Sequence, residues 1–235
     1  MTDAMWFRAL HFFRTVQLHS RPMLAGLVAL GLLGTLTLML DPTRGVEVTL
    51  PVVVVQMFAA SSGFLVPARR GHFDLLLTVG ASRRLVAASH WAVSAAPGLA
   101  LWLGLGVWER LWTGAHGAVL SSGSVTAMLL VSLLGWAGTV PLPRLGAGVI
   151  WLVLMAALFA TTGQWPGTGQ TPLLGDLTAW PRPVQWMVCP LLLVGQRFEG
   201  EAAWSALPGL ALAVFAWWAA VLAVERASLG LEAAQ

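Results

Sequence analysis

The sequence predicts an all-α membrane protein with six transmembrane helices, and three observations lead to this prediction. Of the 235 residues, 57% are hydrophobic and only 10% are charged, whereas a soluble globular domain carries about 25% charged residues. Several apolar runs reach the ~20 residues that a helix needs to cross the ~30 Å hydrocarbon layer of a bilayer. Short segments rich in Arg, Pro and Gly separate these runs, as turns between helices require.

The composition also excludes several classes of function. The net charge is only +3, and the arginines lie at the edges of the apolar runs rather than in one patch, which argues against nucleic acid as a partner. The single cysteine, Cys189, excludes an intrachain disulfide and a cysteine-based metal site. No apolar run followed by a small-residue cleavage site occurs in residues 1–20, so no cleavable signal peptide is expected.

Residues 1–20 are predicted to form a cytoplasmic interfacial helix. Aromatic residues such as Trp6 and Phe7 alternate there with arginine and histidine, and the apolar runs are too short to span a bilayer. An unstructured tail is the alternative. The six-span transmembrane domain is predicted over residues 21–228, with a cytoplasmic tail at 229–235.

The spans are predicted at residues 23–40, 48–66, 85–108, 124–140, 145–162 and 203–224. Glu109 and Arg110 are assigned to a polar connection that follows the third span. The longest region without a span is 163–204. Within it, the apolar segment 184–194 is too short to cross and contains Pro190, which predicts a re-entrant or surface-lying hairpin on the outer face.

The distribution of arginine predicts the orientation. With the N-terminus inside, nine arginines fall in cytoplasmic segments and four in external ones. Because arginine is enriched on the cytoplasmic side of bilayers, both termini are expected in the cytoplasm. The cytoplasmic set is Arg8, Arg14, Arg21, Arg69, Arg70, Arg83, Arg84, Arg144 and Arg226, and the external set is Arg44, Arg110, Arg182 and Arg197.

Few residues of the spans can carry chemistry. No charged residue lies in the middle of a predicted span, which argues against ion-coupled carriers. The phosphate-binding pattern GxxxxGK[ST] is missing, so ATP is not bound through such a loop. Ser89, His90 and Ser94 are the only nucleophile-and-base group in a span, and no third residue orients the base. A membrane enzyme that uses His90 and Ser94 is therefore a minor alternative to ordinary helix packing.

Three polar residues of the second span admit two interpretations. Gln56, Ser61 and Ser62 could line a translocation path, or they could form hydrogen bonds between helices. The sequence does not choose between these possibilities.

The stretch 69–84 differs from everything around it. It combines two arginine pairs with an apolar face formed by Phe73, Leu76 and Leu77, and it predicts a short amphipathic helix at 71–79. Asp74 falls in its first turn, where the helix dipole favours negative charge. Anchoring to anionic lipid would explain the arginines but not the apolar face.

This stretch resembles the signature of type-2 ATP-binding-cassette (ABC) exporter permeases, which reads roughly Gly, any residue, apolar, acidic, any residue, Leu, Leu, a turn, and Ser/Thr-Arg. The matching residues are Gly71, Phe73, Asp74, Leu76, Leu77, Ser82 and Arg83. Two positions depart from the family pattern: Gly80 stands where proline is usual, and Pro67 stands where an acidic residue often occurs. The interfacial helix, six spans and long outer segment extend the resemblance over the whole chain.

The resemblance implies a permease subunit rather than an enzyme. The stretch 71–79 would be a coupling helix that docks on a separate ATPase, with Gly71, Phe73, Asp74, Leu76, Leu77, Ser82, Arg83 and Arg84 as the coupling residues. ATP and Mg would be bound by that ATPase, and no cofactor by this chain. A second six-span permease, identical or similar, would complete the transporter in the bacterial inner membrane, and the segment 184–194 would help to close its external gate. An amphipathic or lipid-like substrate is expected. The alternative is a non-transporting or haem-delivery-type membrane assembly component.

Overall fold

The computed structural model describes residues 21–60, 81–113, 117–138, 190–198 and 201–226. Within these ranges the chain is helical and contains no strand, as predicted. The helices are α1 (Arg21–Leu40), α2 (Gly45–Ala60), α3 (Arg83–Thr113), α4 (Ser122–Gly138) and α5 (Glu201–Arg226), with 3₁₀ turns at Pro42–Arg44 and Pro190–Leu193.

The membrane character predicted from composition is confirmed for this part of the chain. Three helical segments are long and apolar enough to cross a membrane: Pro42–Ala60, Arg83–Thr113 and Leu207–Glu225. Two shorter apolar helical segments, Ala25–Leu40 and Ser122–Gly138, accompany them. Five of the six predicted spans thus coincide, wholly or in part, with described helices. The remaining predicted span, 145–162, lies outside the described residues, as do the interfacial helix 1–20, the coupling helix 71–79 and the tail 229–235.

The helices pack as a bundle in which α3 and α4 contact most of the others. Helix α2 runs antiparallel to α3, so that Gly45 faces Glu109 and Gly98 faces Gln56. Helix α1 runs parallel to α3, and Gly31 lies against Leu101. Helix α5 packs mainly on α4. Glycine at these contacts lets the helix backbones approach closely.

The two ends of the bundle are named after Arg84 and Glu109. The Arg84 end contains the start of α3 together with the last turns of α4 and α5. The Glu109 end contains the close of α3, the first turns of α2 and α4, and the segment 190–198. A long apolar core lies between the ends, and its most buried side chains include Leu38, Val52, Met57, Leu105, Met128, Leu130 and Leu193.

Large apolar side chains cover much of the outer surface of α1, α3 and α5. They include Val28, Leu32, Leu33, Leu103, Val107, Leu212 and Phe215, all at least half exposed. So many exposed large apolar side chains are a liability in water, whereas the hydrocarbon of a bilayer accommodates them. The outer surface is therefore that of a protein immersed in lipid.

The third helix is longer than the sequence predicted. It was expected at residues 85–108, but α3 has 31 residues and ends at Thr113, which corresponds to about 46 Å at 1.5 Å per residue. The assignment of Glu109 and Arg110 to a polar connection is wrong. Glu109 lies on the buried face of the helix with Trp102 and Leu105, and its carboxylate is bound by main-chain groups, so the helix continues past it.

Candidate functional site

The last three residues of the stretch 69–84, Ser82 to Arg84, lie where α3 begins. Ser82 precedes the helix, and its hydroxyl accepts a hydrogen bond from the main-chain N–H of Leu85 over 3.2 Å, while its carbonyl accepts the N–H of Val86 over 3.0 Å. This is the N-cap arrangement that satisfies otherwise unpaired amides in the first helical turn. Ser82 therefore fixes the point at which the stretch joins α3.

Arg83 and Arg84 both bind the end of the last helix. The Arg84 Nε donates to Glu225 Oε2 over 2.7 Å. Arg83 Nη1 donates to the main-chain oxygen of Glu225 over 3.1 Å, where a cation complements the negative end of the helix dipole. Two adjacent arginines thus connect the start of α3 to the end of α5.

A small apolar cluster lies beneath these polar contacts. It contains Val86, Ala87, Trp136, Ala137, Ala220, Val221 and Val224, from α3, α4 and α5. Because alanine and valine are short, the three helices approach one another closely at the Arg84 end. The arginine contacts are therefore supported by apolar packing and do not stand alone.

The other predicted coupling residues, namely Gly71, Phe73, Asp74, Leu76 and Leu77, lie outside the described residues, and so do Ser61 and Ser62. Their assigned roles stay predictions. The structure places Ser82, Arg83 and Arg84 together at one helix start, as the sequence order requires. It adds Glu225, a partner 141 residues away from Arg84.

Gln56 is fully buried between α2, α3 and α4. Its Nε2 donates to the main-chain oxygen of Ala95 over 3.2 Å and to Ser132 Oγ over 2.8 Å. Its Oε1 has no hydrogen-bond partner and lies against Gly98, which follows Pro97 inside α3. This is the geometry expected of interhelical hydrogen bonding. A role for Gln56 in a translocation path stays a prediction.

His90 is buried at the α3–α4 contact, and its Nδ1 accepts a hydrogen bond from Trp136 Nε1 over 3.1 Å. Ser94 donates its hydroxyl hydrogen to the main-chain oxygen of His90, and Ser89 donates to Leu85. A serine nucleophile needs to give its proton to a base. These hydroxyls are bonded to the main chain instead, as the helix-packing interpretation predicts.

At the opposite end of the bundle, Glu109 organises the connection between α3 and α4. Its Oε1 accepts the N–H of Ala118 over 3.1 Å, and its Oε2 accepts the N–H of Val119 over 3.0 Å. The carboxylate has almost no solvent exposure. The positive charge of Arg197 also acts on it. Burial of a carboxylate requires such partners.

The close packing around Glu109 depends on two glycines. A Cβ at Gly117 would overlap the Glu109 carboxyl group, and a Cβ at Gly45 would overlap its Oε1. Neither position therefore has room for a side chain. The connection also receives a hydrogen bond from Trp102, whose Nε1 donates to the main-chain oxygen of Val119 over 2.9 Å.

Two of these residues were not selected from the sequence, although each left a signal there. Glu109 follows Trp102 and Leu105 at i+7 and i+4, the spacing of one helix face, which places it on the buried side of α3. Glu225 is the acidic residue at the end of the last span, at the same predicted membrane side as the arginine pair. The pairing of Glu225 with Arg84 could not be predicted, because the sequence does not show that the start of α3 and the end of α5 are neighbours.

No protein-family model, curated protein or solved structure matches this chain. In the part of the chain that the structure describes, no group of three or more His, Cys, Asp or Glu residues could hold a metal ion. A functional assignment therefore depends on the stretch 69–84 and on the contacts of its last residues.

Proposed function

We propose that this chain is the transmembrane permease subunit of an ATP-binding-cassette exporter. A separate ATPase would dock on the stretch 69–84, with Phe73, Leu76 and Leu77 as apolar anchors and charged residues around them. A central apolar contact with a polar rim is how compact interfaces concentrate binding energy. ATP and Mg would belong to the ATPase.

The main support for the proposal is that the last residues of the stretch contact two long helices, α3 and α5. Ser82 caps α3, and Arg83 and Arg84 hold the end of α5. A displacement of the stretch by an ATPase would thus act on the start of α3 and on the end of α5 together. Because both helices run the length of the bundle, the motion would reach the Glu109 end.

The direction of the described helices supports the expected topology. Helix α2 runs towards the Arg84 end and α3 starts there, so the connection 61–80 begins and ends on one side. Helix α4 finishes at the Arg84 end, whereas Pro190 lies at the Glu109 end. A fifth span at 145–162 would account for this change of side. The arginine distribution would place the Arg84 end in the cytoplasm.

An amphipathic or lipid-like substrate fits the chemistry of the bundle. The outer surface is apolar along α1, α3 and α5, and no charged residue lies midway along a described helix. The one buried carboxylate among the described residues, that of Glu109, is engaged by main-chain amides. The proposed assembly contains a second six-span permease in the bacterial inner membrane.

The experiment is to purify the chain with its ATPase and to replace Phe73 and Leu76 together by alanine. We expect loss of ATPase co-purification and of substrate-stimulated ATP hydrolysis in proteoliposomes, while the variant still folds. The matched control is Leu212→Ala with Phe215→Ala, which removes the same two residue types at the same spacing from the lipid-facing surface of α5. Unchanged co-purification and hydrolysis in the Phe73/Leu76 variant would contradict the proposal.

The same preparation tests the assembly-component alternative. An exporter moves substrate in proteoliposomes that contain only this permease, its ATPase and lipid. A haem-delivery or scaffold component would co-purify with further proteins and would show no such movement.

A further inference from the structure

The hydroxyl group of Ser124, in the first turn of α4, makes three hydrogen bonds. It donates to the main-chain oxygen of Ala118 over 2.9 Å, and it accepts from Ser121 Oγ over 2.9 Å and from the N–H of Gly195 over 3.0 Å. Ala118 is also held by Glu109. A continuous path therefore runs from Glu109 through the α3–α4 connection to Ser124 and on to Gly195.

The segment 190–198 makes its polar contacts with α4 over three consecutive residues. The N–H of Phe198 donates to Ser122 Oγ over 2.7 Å, and the N–H of Gly123 donates to the main-chain oxygen of Gln196 over 3.0 Å. The contact between Gly195 and Ser124 lies beside these two bonds. The segment thus caps the first turn of α4, where amides lack partners within the helix.

The backbone conformation and burial of the segment 190–198 favour these contacts with α4. Leu193 and Val194 are buried in the core, and Gly195 adopts a φ of +80°, which aims its N–H at Ser124. This conformation is one that glycine adopts readily. A side chain at Gly195 would also overlap Val46 of α2.

The hydrogen bonds between Glu109 and the α3–α4 connection differ in strength from those between α4 and the segment 190–198. The two bonds from Glu109 go to adjacent main-chain amides and are largely buried, whereas the bond between Phe198 and Ser122 is exposed to water, which competes for it. The bonds from α4 to the segment join neutral groups within one helical turn. When the path breaks, we therefore expect the segment to release as a unit while the connection stays bound to Glu109.

We infer that Ser124 and Glu109 form a latch that holds the segment 190–198 against the Glu109 end of the bundle. Ser124 is the contact that opens, and Glu109 is a positioning residue that acts through the α3–α4 connection and also attracts the positive charge of Arg197 in the segment. The use of the latch rests on the proposed function, because opening it would uncover the external side for release of the substrate. The latch itself is a property of this chain alone.

The latch can be tested by hydrogen–deuterium exchange on the full chain in phosphatidylcholine nanodiscs, without ATPase or substrate. Glu109→Gln keeps the size of the side chain but turns one acceptor oxygen into a donor. We expect exchange to accelerate roughly tenfold or more at 117–121 and also at 190–198. A role confined to local structure would accelerate only 117–121. The control is Glu47→Gln, an exposed glutamate paired with Arg44, which should change neither segment.

A second variant separates the latch from general loss of stability. Ser124→Ala removes the contact with Gly195 and leaves Glu109 in place, so exchange should accelerate at 190–198 while Val119 stays protected. Thr126→Val is the matched control, because among the described residues the Thr126 hydroxyl bonds within its own helix, to the main-chain oxygen of Ser122. Unchanged exchange at 190–198 in both Glu109→Gln and Ser124→Ala would overturn the latch. The expected pattern would support it even if the ATPase experiment failed.

Discussion

The indole N–H of Trp136 donates to Nδ1 of His90 over 3.1 Å, and both side chains are buried between α3 and α4. Because Nδ1 is the acceptor, the hydrogen of the neutral imidazole lies on Nε2. Trp136 also packs against Trp217 of α5, with ring centroids 6.5 Å apart. One indole thus joins three helices near the Arg84 end.

We predict that Trp136→Phe lowers the free energy of unfolding by about 1–3 kcal/mol. Phenylalanine keeps an aromatic ring in the cluster but deletes the donor, so the buried Nδ1 loses this bond. Thermal unfolding of the detergent-solubilised protein is the measurement. Trp218→Phe is the control, since Trp218 is 45% exposed and surface substitutions usually change stability by less than about 0.5 kcal/mol. Equal effects of the two variants would show that the Trp136 bond contributes nothing.

Glycines of α3 should differ sharply in their tolerance of alanine. A Cβ at Gly98 would overlap the amide of Gln56, which two hydrogen bonds hold in place. Gly98→Ala should therefore destabilise the bundle by about 1–3 kcal/mol. A Cβ at Gly104 would meet nothing within 4 Å, so Gly104→Ala should be neutral or stabilise α3 by up to about 1 kcal/mol.

Adding Gln56→Ala to Gly98→Ala checks the cause of this difference. If the clash with Gln56 is responsible, the second substitution should recover part of the stability lost, as measured by the same thermal unfolding. Similar stabilities for the Gly98 and Gly104 variants would refute the predicted close contact.

The Arg84–Glu225 pair should contribute little to stability by itself. Both side chains are about half exposed, at 51% and 41%, and exposed ion pairs typically contribute about 0.2–1 kcal/mol. A double-mutant cycle with Arg84→Gln and Glu225→Gln should return a coupling energy in that range, which decreases at high salt. A coupling energy of several kcal/mol would contradict this expectation.

Exchange of the two charges tests the role of the pair in the proposed transport. Arg84→Glu alone should weaken substrate-stimulated ATP hydrolysis, because two acidic groups then meet at the ends of α3 and α5. Adding Glu225→Arg should restore it. If Arg84 serves only to contact the ATPase, the second substitution would give no recovery.

The turn between α1 and α2 should respond to acid. Hydrogen bonds from the hydroxyl and the N–H of Thr43, at 2.6 and 3.0 Å, hold the pKa of Asp41 below its ordinary value, with a smaller contribution from Arg44. An unfolded aspartate has a pKa of about 3.9. The bonds are therefore fully present above that pH and are lost as the pH falls through the lower, folded value.

A pH titration of the Thr43 amide resonance should show a midpoint below about 3.9. Asp41→Asn should abolish the transition, because an amide does not ionise in this range. A midpoint at or above the ordinary aspartate value would contradict the hydrogen-bonded turn.

The sequence predicted helix type and position well where the apolar runs were long. The spans expected at 23–40 and 203–224 agree with α1 and α5 within a few residues, because burial in lipid imposes a minimum apolar length. The boundary near Glu109 was missed for a physical reason. A hydropathy pattern treats a carboxylate as exposed, whereas the N–H groups of Ala118 and Val119 return to it from nine and ten residues further on.

The candidate site was likewise predicted only in part from the sequence. The sequence placed Ser82, Arg83 and Arg84 directly before the third span, which was expected from residue 85, but it did not predict that Ser82 caps a helix beginning at Arg83. The binding of both arginines to Glu225 was not foreseen. Contacts between residues so distant in the chain depend on which helices become neighbours, and short-range patterns carry no information about that.

The amino-acid order alone established that this is a helical membrane protein with a charged amphipathic stretch between its second and third apolar runs, because composition and hydrophobic periodicity are local properties. The pairing of Arg84 with Glu225, the enclosure of Gln56 and the capture of the α3–α4 connection by Glu109 came from the folded arrangement. Arg84, Glu109 and the Nε2 of Gln56 each bind a partner on another helix or in a connection, and only close packing brings such partners within hydrogen-bond distance.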